Sequence, residues 1–237
     1  MKQLISPGTV TCIPTLKART DASLVEECRR ILKTIYQNPD LPLEYALMHE
    51  GDRFYHVVNP ATGRLAAFFV AQMPQTIRAD LPLTGYLGLA AQEAGAGSAG
   101  LHLCKQYMAD ASQAHAGENI TIWYRTATPF ALYPCYNLLK NGEPWRDGAY
   151  SDGGRERIAA IRDFMKIPPA GEGHPFVARG VAKARYREEE VIRMRRFRDA
   201  TKTRLFDALN IREENGDRVL MVGTLPCAGA GGGGNRG

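Results

Sequence analysis

The residues with the clearest chemistry are the nine from Gln92 to Gly100, Gln-Glu-Ala-Gly-Ala-Gly-Ser-Ala-Gly. Consecutive small residues let backbone N–H groups converge on an anion, and a helix that starts behind them adds the positive end of its dipole, so the tract suits a phosphate. Two ligand classes compete for it. Gly95-Ala96-Gly97-Ser98-Ala99-Gly100 satisfies the dinucleotide pattern G-x-G-x-x-G between an expected strand and an expected helix. A dinucleotide fold would place an acid at the end of the next strand; here that strand ends in Arg125-Thr126, which suits NADP better than NAD. The element before the loop reads as an antiparallel hairpin, not as the start of repeated βαβ units.

Other reactive residues are dispersed. The five cysteines (12, 28, 104, 135 and 227) are odd in number, scattered and without a CxxC pair, which argues against a structural zinc site and favours a reducing compartment. Cys104 falls on the apolar stripe of its helix and reads as core, and His102, two residues away, points to another face. Ser98 opens a helix and is first a capping residue. No Ser/His/Asp arrangement emerges.

The elements that must hold the loop follow from pattern. Val10 to Leu16 reads as a strand. A helix capped by Thr20 or Asp21 carries Leu24, Cys28, Ile31, Leu32 and Ile35 on one face and stops at Asn38-Pro39. Leu43 to His49 forms a short second helix. Strands at Arg53 to Val58 and Leu65 to Met73 flank a turn rich in Asn, Pro and Gly. Strand Gly85 to Ala90 leads into the small-residue loop, then a helix with Leu101, Cys104, Tyr107, Met108 and Ala111 inward, then strand Ile120 to Arg125. A helix starts after Thr128-Pro129 and runs to about Lys140. Asn141 to Gly154 reads as irregular, Arg155 to Lys166 as helix, Pro175 to Ala182 as strand, Glu188 to Leu209 as one long helix and Asp217 to Leu225 as the last strand.

At this point the chain resembles the GNAT N-acetyltransferase superfamily. That family's pyrophosphate loop, Q/R-x-x-G-x-G/A, matches Gln92-Glu93-Ala94-Gly95-Ala96-Gly97; a second register, Ala94-x-x-Gly97-x-Ala99, lacks the leading Gln or Arg. The order of elements from Val10 to Lys140 also matches the family's. The resemblance implies an α/β (α+β) fold with a mixed, mostly antiparallel central sheet flanked by helices, plus C-terminal helical insertions. It further implies one domain over residues 1–226, with a core at 10–140, an insertion at 141–174 and a strand-helix-strand at 175–226. The Gly-rich tail, 227–237, is expected to be disordered.

The implied activity is transfer of an acetyl group from acetyl-CoA to a primary amine. The diphosphate would be held within Ala91, Gln92, Gly95, Ala96, Gly97, Ser98, Ala99 and Gly100, and the pantetheine arm by the strand carrying Leu87 and Leu89. The segment Thr128-Pro129-Phe130-Ala131-Leu132-Tyr133-Pro134-Cys135-Tyr136 is similar to the family's second motif. It places Thr128 at the pantetheine and Tyr136, or else Tyr133, as the acid that protonates the leaving thiolate. It departs from the motif in using Thr128 for an Asn, in setting the tyrosine one residue late and in lacking the terminal Gly-Phe. The amine's proton needs an acceptor. Glu93, Asp80, Glu50, His56 and His102 are the candidates, and a water chain is another route. A non-catalytic CoA-binding module and an NADP enzyme are the competing functions.

Charge adds a possible partner. From Arg179 to Arg212 there are eleven Lys/Arg against five Asp/Glu, more than the whole chain's excess of +5. A basic helix over 187–209 suits nucleic acid or CoA phosphates, or serves simply as a solvated face. The acceptor's class and the oligomeric state are not readable. No signal-peptide pattern or membrane-length apolar run occurs, which gives the expectation of a soluble, cytoplasmic protein.

Overall fold

The computed structural model describes residues 9–168, 173–201 and 204–225, except for the side chains of residues 133–135. One mixed sheet runs through the molecule in the order β1-β2-β3-β4-β5-β8-β6, with β7 also paired to β8. Its strands are β1 (Val10–Pro14), β2 (Arg53–Val58), β3 (Leu65–Gln75), β4 (Leu83–Gln92), β5 (Ile120–Thr126), β6 (Lys140–Glu143), β7 (Val177–Ala178) and β8 (Arg218–Thr224). Every pairing is antiparallel except β4 with β5. That one parallel pair is joined by a helical crossover, as parallel neighbours require.

The helices are α1 (Thr15–Thr20), α2 (Ala22–Leu32), α3 (Asp40–Tyr45), α4 (Ala99–Ala114), α5 (Pro129–Leu138), α6 (Asp152–Phe164), α7 (Glu188–Thr201) and α8 (Leu205–Ala208). Helix α2 starts where Asp21 accepts the amide of Leu24 at 3.0 Å, and α6 starts where Ser151 accepts the amide of Gly154 at 3.0 Å. Each cap satisfies a donor that the first helical turn leaves free, worth about 1 kcal/mol.

Alternation along the strands divides the core. On one face Tyr55, Phe69, Leu87, Ile122 and Tyr124 pack against Leu103, Tyr107 and Ala111 of α4. On the other, Phe54, Phe68, Val70 and Ala91 pack against Cys28, Ile31 and Leu32 of α2 and Leu43 of α3. Beside that second cluster, Tyr86, Trp123, Leu220 and Val222 meet Ile158 and Ile161 of α6.

Three expectations are corrected. The segment expected to be irregular supplies β6, whose Lys140 and Glu143 pair with Thr224 and Val222, so it belongs to the sheet rather than to an excursion from it. The strand expected over 175–182 shrinks to the two residues of β7. The long C-terminal helix is two helices: α7 ends at Thr201 and α8 begins at Leu205. The expected tail, 227–237, lies outside the described residues, and among those described no helix is long and apolar enough to cross a membrane.

Candidate functional site

The parallel pair opens. β4 and β5 are in register from Leu83↔Ile120 to Leu87↔Tyr124 and pair no further, although β4 continues to Gln92 and β5 to Thr126. The cause is visible on the other side of β4, where Ala71 faces Leu87 and Phe69 faces Ala90, so β4 carries one extra residue in a bulge at Gly88–Leu89. A bulge bends its strand and sharpens the local twist. The edge of β4 from Gly88 to Gln92 that faces β5 is therefore without a partner strand, and it leads straight into the small-residue loop.

That loop is held by its own groups. Gln92 donates Nε2 to the carbonyl of Gly97 at 3.2 Å and accepts the amide of Gly100 through Oε1 at 3.0 Å. The amides of Ala96 and Ala99 close turns onto the carbonyls of Glu93 and Ala96, while their methyl groups are buried in the core. Ser98 makes no side-chain cap. The amides of Gly95, Gly97 and Ser98 donate to no protein group among the described residues. Gly95 (φ 91°) and Gly97 (φ 61°) are left-handed, the conformation that turns neighbouring amides toward one point. Glu93, whose charge would oppose a phosphate, is paired with Arg30 of α2 at 2.7 Å. Of the residues expected to bind the ligand, Leu87 and Ala91 are buried on opposite faces and Leu89 is half-buried beside Ala91.

On the face covered by α2 and α6, a charged cluster sits where the strands part. Glu50 ends a π-helical turn, Ala46–Glu50, that extends α3; such widened turns recur at functional positions. Gly51 pins it, because a Cβ there would stand 2.2 Å from the Ala71 carbonyl oxygen. Gly88 makes room for it, since a Cβ there would stand 3.2 Å from Glu50 Oε2. The buried Glu50 Oε1 accepts the hydroxyl of Tyr86 at 3.2 Å and the guanidinium of Arg125. Arg125 lies over the ring of Tyr45, 5.2 Å from its centroid. Burial and the neighbouring carboxylate raise the Tyr86 hydroxyl's pKa, and Tyr86, Glu50 and Tyr45 hold Arg125 firmly protonated against the cost of burial. Tyr36 and Tyr186 stack with centroids 5.0 Å apart, joining the segment after α2 to the chain before α7.

Tyr136 is not brought to this opening. Its hydroxyl donates to the carbonyl of Pro144 at 2.7 Å, just after β6. Since β8 separates β6 from β5, that carbonyl is about 10 Å beyond β5 at the usual strand spacing. The contact holds the β6 turn and occupies the Tyr136 hydroxyl in this structure; the side chain of Tyr133 lies outside the described residues. Thr128 caps α5, accepting the amide of Phe130 at 3.4 Å.

Of the candidate bases, Glu50 stands where the strands part, and Glu93, in the loop beyond, is taken up by Arg30. Asp80 is exposed and clamped by Arg78 at 2.6 Å, and His102 is exposed on α4. His56 sits on β2 with its pKa lowered by burial and its Nδ1 unpartnered. Cys104 is no nucleophile, because burial pushes its thiol up to about 12. Among the described residues no group of acidic, histidine and cysteine side chains could hold a metal ion. The basic segment is partly satisfied internally through Arg187–Glu189, Arg193–Glu190, Arg198–Asp207 and Arg179–Asp217. Arg193 also lies over Phe130 of α5.

Sequence reasoning missed Tyr86, Tyr45 and the pairing of Arg125 with Glu50. The residues are 75 apart in the chain, and no local pattern joins them.

No protein-family model and no curated protein matches the sequence. Solved structures do align with the fold. The ribosomal-protein-S18-alanine N-acetyltransferase from Escherichia coli is 9% identical, over 95% of this chain and 100% of its own, at a TM-score of 0.45. Aminoglycoside 6'-acetyltransferase type Ii is 14% identical, over 57% and 86%, at 0.39. The GphF GNAT-like decarboxylase in complex with isobutyryl-CoA is 11% identical, over 92% and 100%, at 0.39. With these TM-scores below 0.5, the fold is read from the chain's own topology: a mixed, mostly antiparallel sheet with one opened parallel pair, in the order of elements that the GNAT resemblance implies.

Proposed function

We propose that the chain is an acyl-CoA-dependent N-acyltransferase that moves an acetyl group from acetyl-CoA to a primary amine by direct attack. The observation that carries this reading is the opening of β4 from β5 at Leu87↔Tyr124, which leaves a free strand edge running into a loop where the amides of Gly95, Gly97 and Ser98 are unused. An extended arm carrying amide groups pairs with such an edge as another strand would. A diphosphate fits the loop, where Gly95, Gly97 and Ser98 present donors at the N-terminus of α4 and Glu93 is already neutralised. The residues that would hold CoA are therefore Gly88 to Gln92 along the arm and Gly95 to Ser98 at the diphosphate, with Gln92 bracing the loop. Bound acyl-CoA supplies a thioester carbonyl and a thiolate leaving group.

The protein's part in the chemistry falls to Glu50. Its Oε1 is committed to Tyr86 and Arg125, and its Oε2 takes no partner among the described residues. The acceptor's ammonium passes one proton to Oε2; the freed amine then bonds the acyl carbon as the C–S bond breaks, and its second proton goes to the departing thiolate. Arg125 and Tyr86 fix the carboxylate's orientation, so little reorganisation is needed when the proton moves.

Calorimetric titration tests the reading. Acetyl-CoA and CoA should bind at micromolar concentration and NADP should not; binding of NADP alone would replace acyl transfer with dinucleotide chemistry. The topology already favours the first result, because the strand before β4 is antiparallel to it and, among the described residues, no second parallel pair extends the sheet.

A further inference from the structure

Resting on the acyl-transfer reading, we infer that the acceptor is a free α-amino acid, its amine held by Glu50 and its carboxylate by Arg125. The ion pair at the opening is only half used. Glu50 spends one oxygen on Tyr86 and Arg125, and Arg125 donates only through one terminal nitrogen; its Nε and other terminal nitrogen have no partner among the described residues. None of these unused atoms is among the sealed polar atoms that lack a hydrogen-bond partner, such as Thr15 Oγ1 and His56 Nδ1. They therefore keep some contact with solvent, by which a ligand can reach them.

A carboxylate oxygen beside guanidinium donors is the complement of a molecule that carries an ammonium and a carboxylate on one carbon. The second N–H of the terminal nitrogen that meets Glu50 and the N–H beside it form one guanidinium edge, which matches a carboxylate with two parallel hydrogen bonds, and an ammonium finds its counter-charge on Glu50 Oε2. The ring of Tyr45 holds the guanidinium from one side and, being half-exposed together with Leu41 on α3, offers an apolar wall to the amino-acid side chain. An amine without the carboxylate meets Glu50 but leaves the Arg125 donors unmatched. Within a low-dielectric site an unmatched charged donor costs about 1.5–3 kcal/mol, or roughly a 10- to 100-fold loss of kcat/KM.

The test is acetyl-CoA turnover, followed by CoA release, on a panel of free L-amino acids against their amides, their decarboxylated amines and dipeptides with the same first residue. The free acid should exceed its amide by about 10- to 100-fold, and Arg125→Gln should bring that ratio close to one while Arg125→Lys restores part of it. Because the ratio is taken on one preparation, partial unfolding of a variant does not alter it. Equal use of acid and amide by the wild type, or an unchanged ratio in Arg125→Gln, overturns the inference while leaving acyl transfer standing. Absence of acetyl-CoA binding by calorimetry overturns both.

Discussion

Replacing Glu50 separates the chemical role of its carboxylate from the structural one. The side chains of Glu50 and Arg125 are 7% and 20% exposed, so the pair is shielded from solvent. Glu50→Ala leaves the guanidinium without its partner in that setting, a loss of about 3–5 kcal/mol. For a chain of this length, with 2–4 °C per kcal/mol, the melting temperature should fall by roughly 10 °C. Glu50→Gln is the informative change. Its amide oxygen still accepts from Tyr86 and Arg125, so the fold should lose far less, but an amide is too weak a base to take a proton from the amine. Turnover should then fall by about 10²- to 10⁴-fold, with the acetyl-CoA affinity little altered, since the loop amides of Gly95, Gly97 and Ser98 are untouched by the change. The assay is CoA release at saturating acetyl-CoA, alongside thermal melting of both variants. A folded Glu50→Gln protein that keeps full turnover would refute the assignment of Glu50 as base; an undiminished melting temperature in Glu50→Ala would refute the buried pair itself.

Other substitutions probe the remaining links. Gln92→Ala removes both side-chain hydrogen bonds across the loop, so the KM for acetyl-CoA should rise several-fold with kcat nearly unchanged; equal loss in both would place Gln92 in the chemistry instead. Tyr136→Phe deletes the bond to Pro144 and should cost about 1 kcal/mol of stability while turnover stays near wild type; a collapse in kcat would instead make the hydroxyl part of the chemistry. Burial holds the Cys28 and Cys104 thiols at about 12, so at pH 8 neither should react with a disulfide reagent until the protein is unfolded, which peptide mapping of labelled native protein would show. Glu27 is held near pKa 2 by Arg64 and Arg30, below its unfolded value near 4.3. Its contribution to stability is present above that unfolded value and is lost as pH falls toward 2. The melting difference between wild type and Glu27→Gln should therefore shrink between pH 4.5 and 2, and a difference that stays constant with pH would exclude the ionic contribution.

What the chain reveals before folding depends on how local the cause is. Asp21 caps α2 as its position suggests, because a cap acts within three residues. The hairpin around Asn59 and Gly63 and the strand-loop-helix unit from β4 to α4 are readable for the same reason. The opening of β4 from β5 is not, since it arises from a bulge set by pairing with β3, and pairing register is a property of two distant segments. β6 escapes detection because Lys-Asn-Gly-Glu has turn composition, and only β8 makes it a strand. The Tyr136 assignment rests on motif spacing, which carries no information about the carbonyl at Pro144 that takes its hydroxyl. Glu50 is chemically eligible from sequence alone, but only Gly51, Gly88 and Arg125 together select it over Asp80, His56 and His102.

The most direct measurement is a crystal structure of the protein with acetyl-CoA. The diphosphate oxygens should lie about 3 Å from the amide nitrogens of Gly95, Gly97 and Ser98, the pantetheine arm should run along Gly88 to Gln92, and the thioester should end beside Glu50. Acetyl-CoA bound elsewhere, with the β4 edge bare and those three amides facing solvent, would contradict the account.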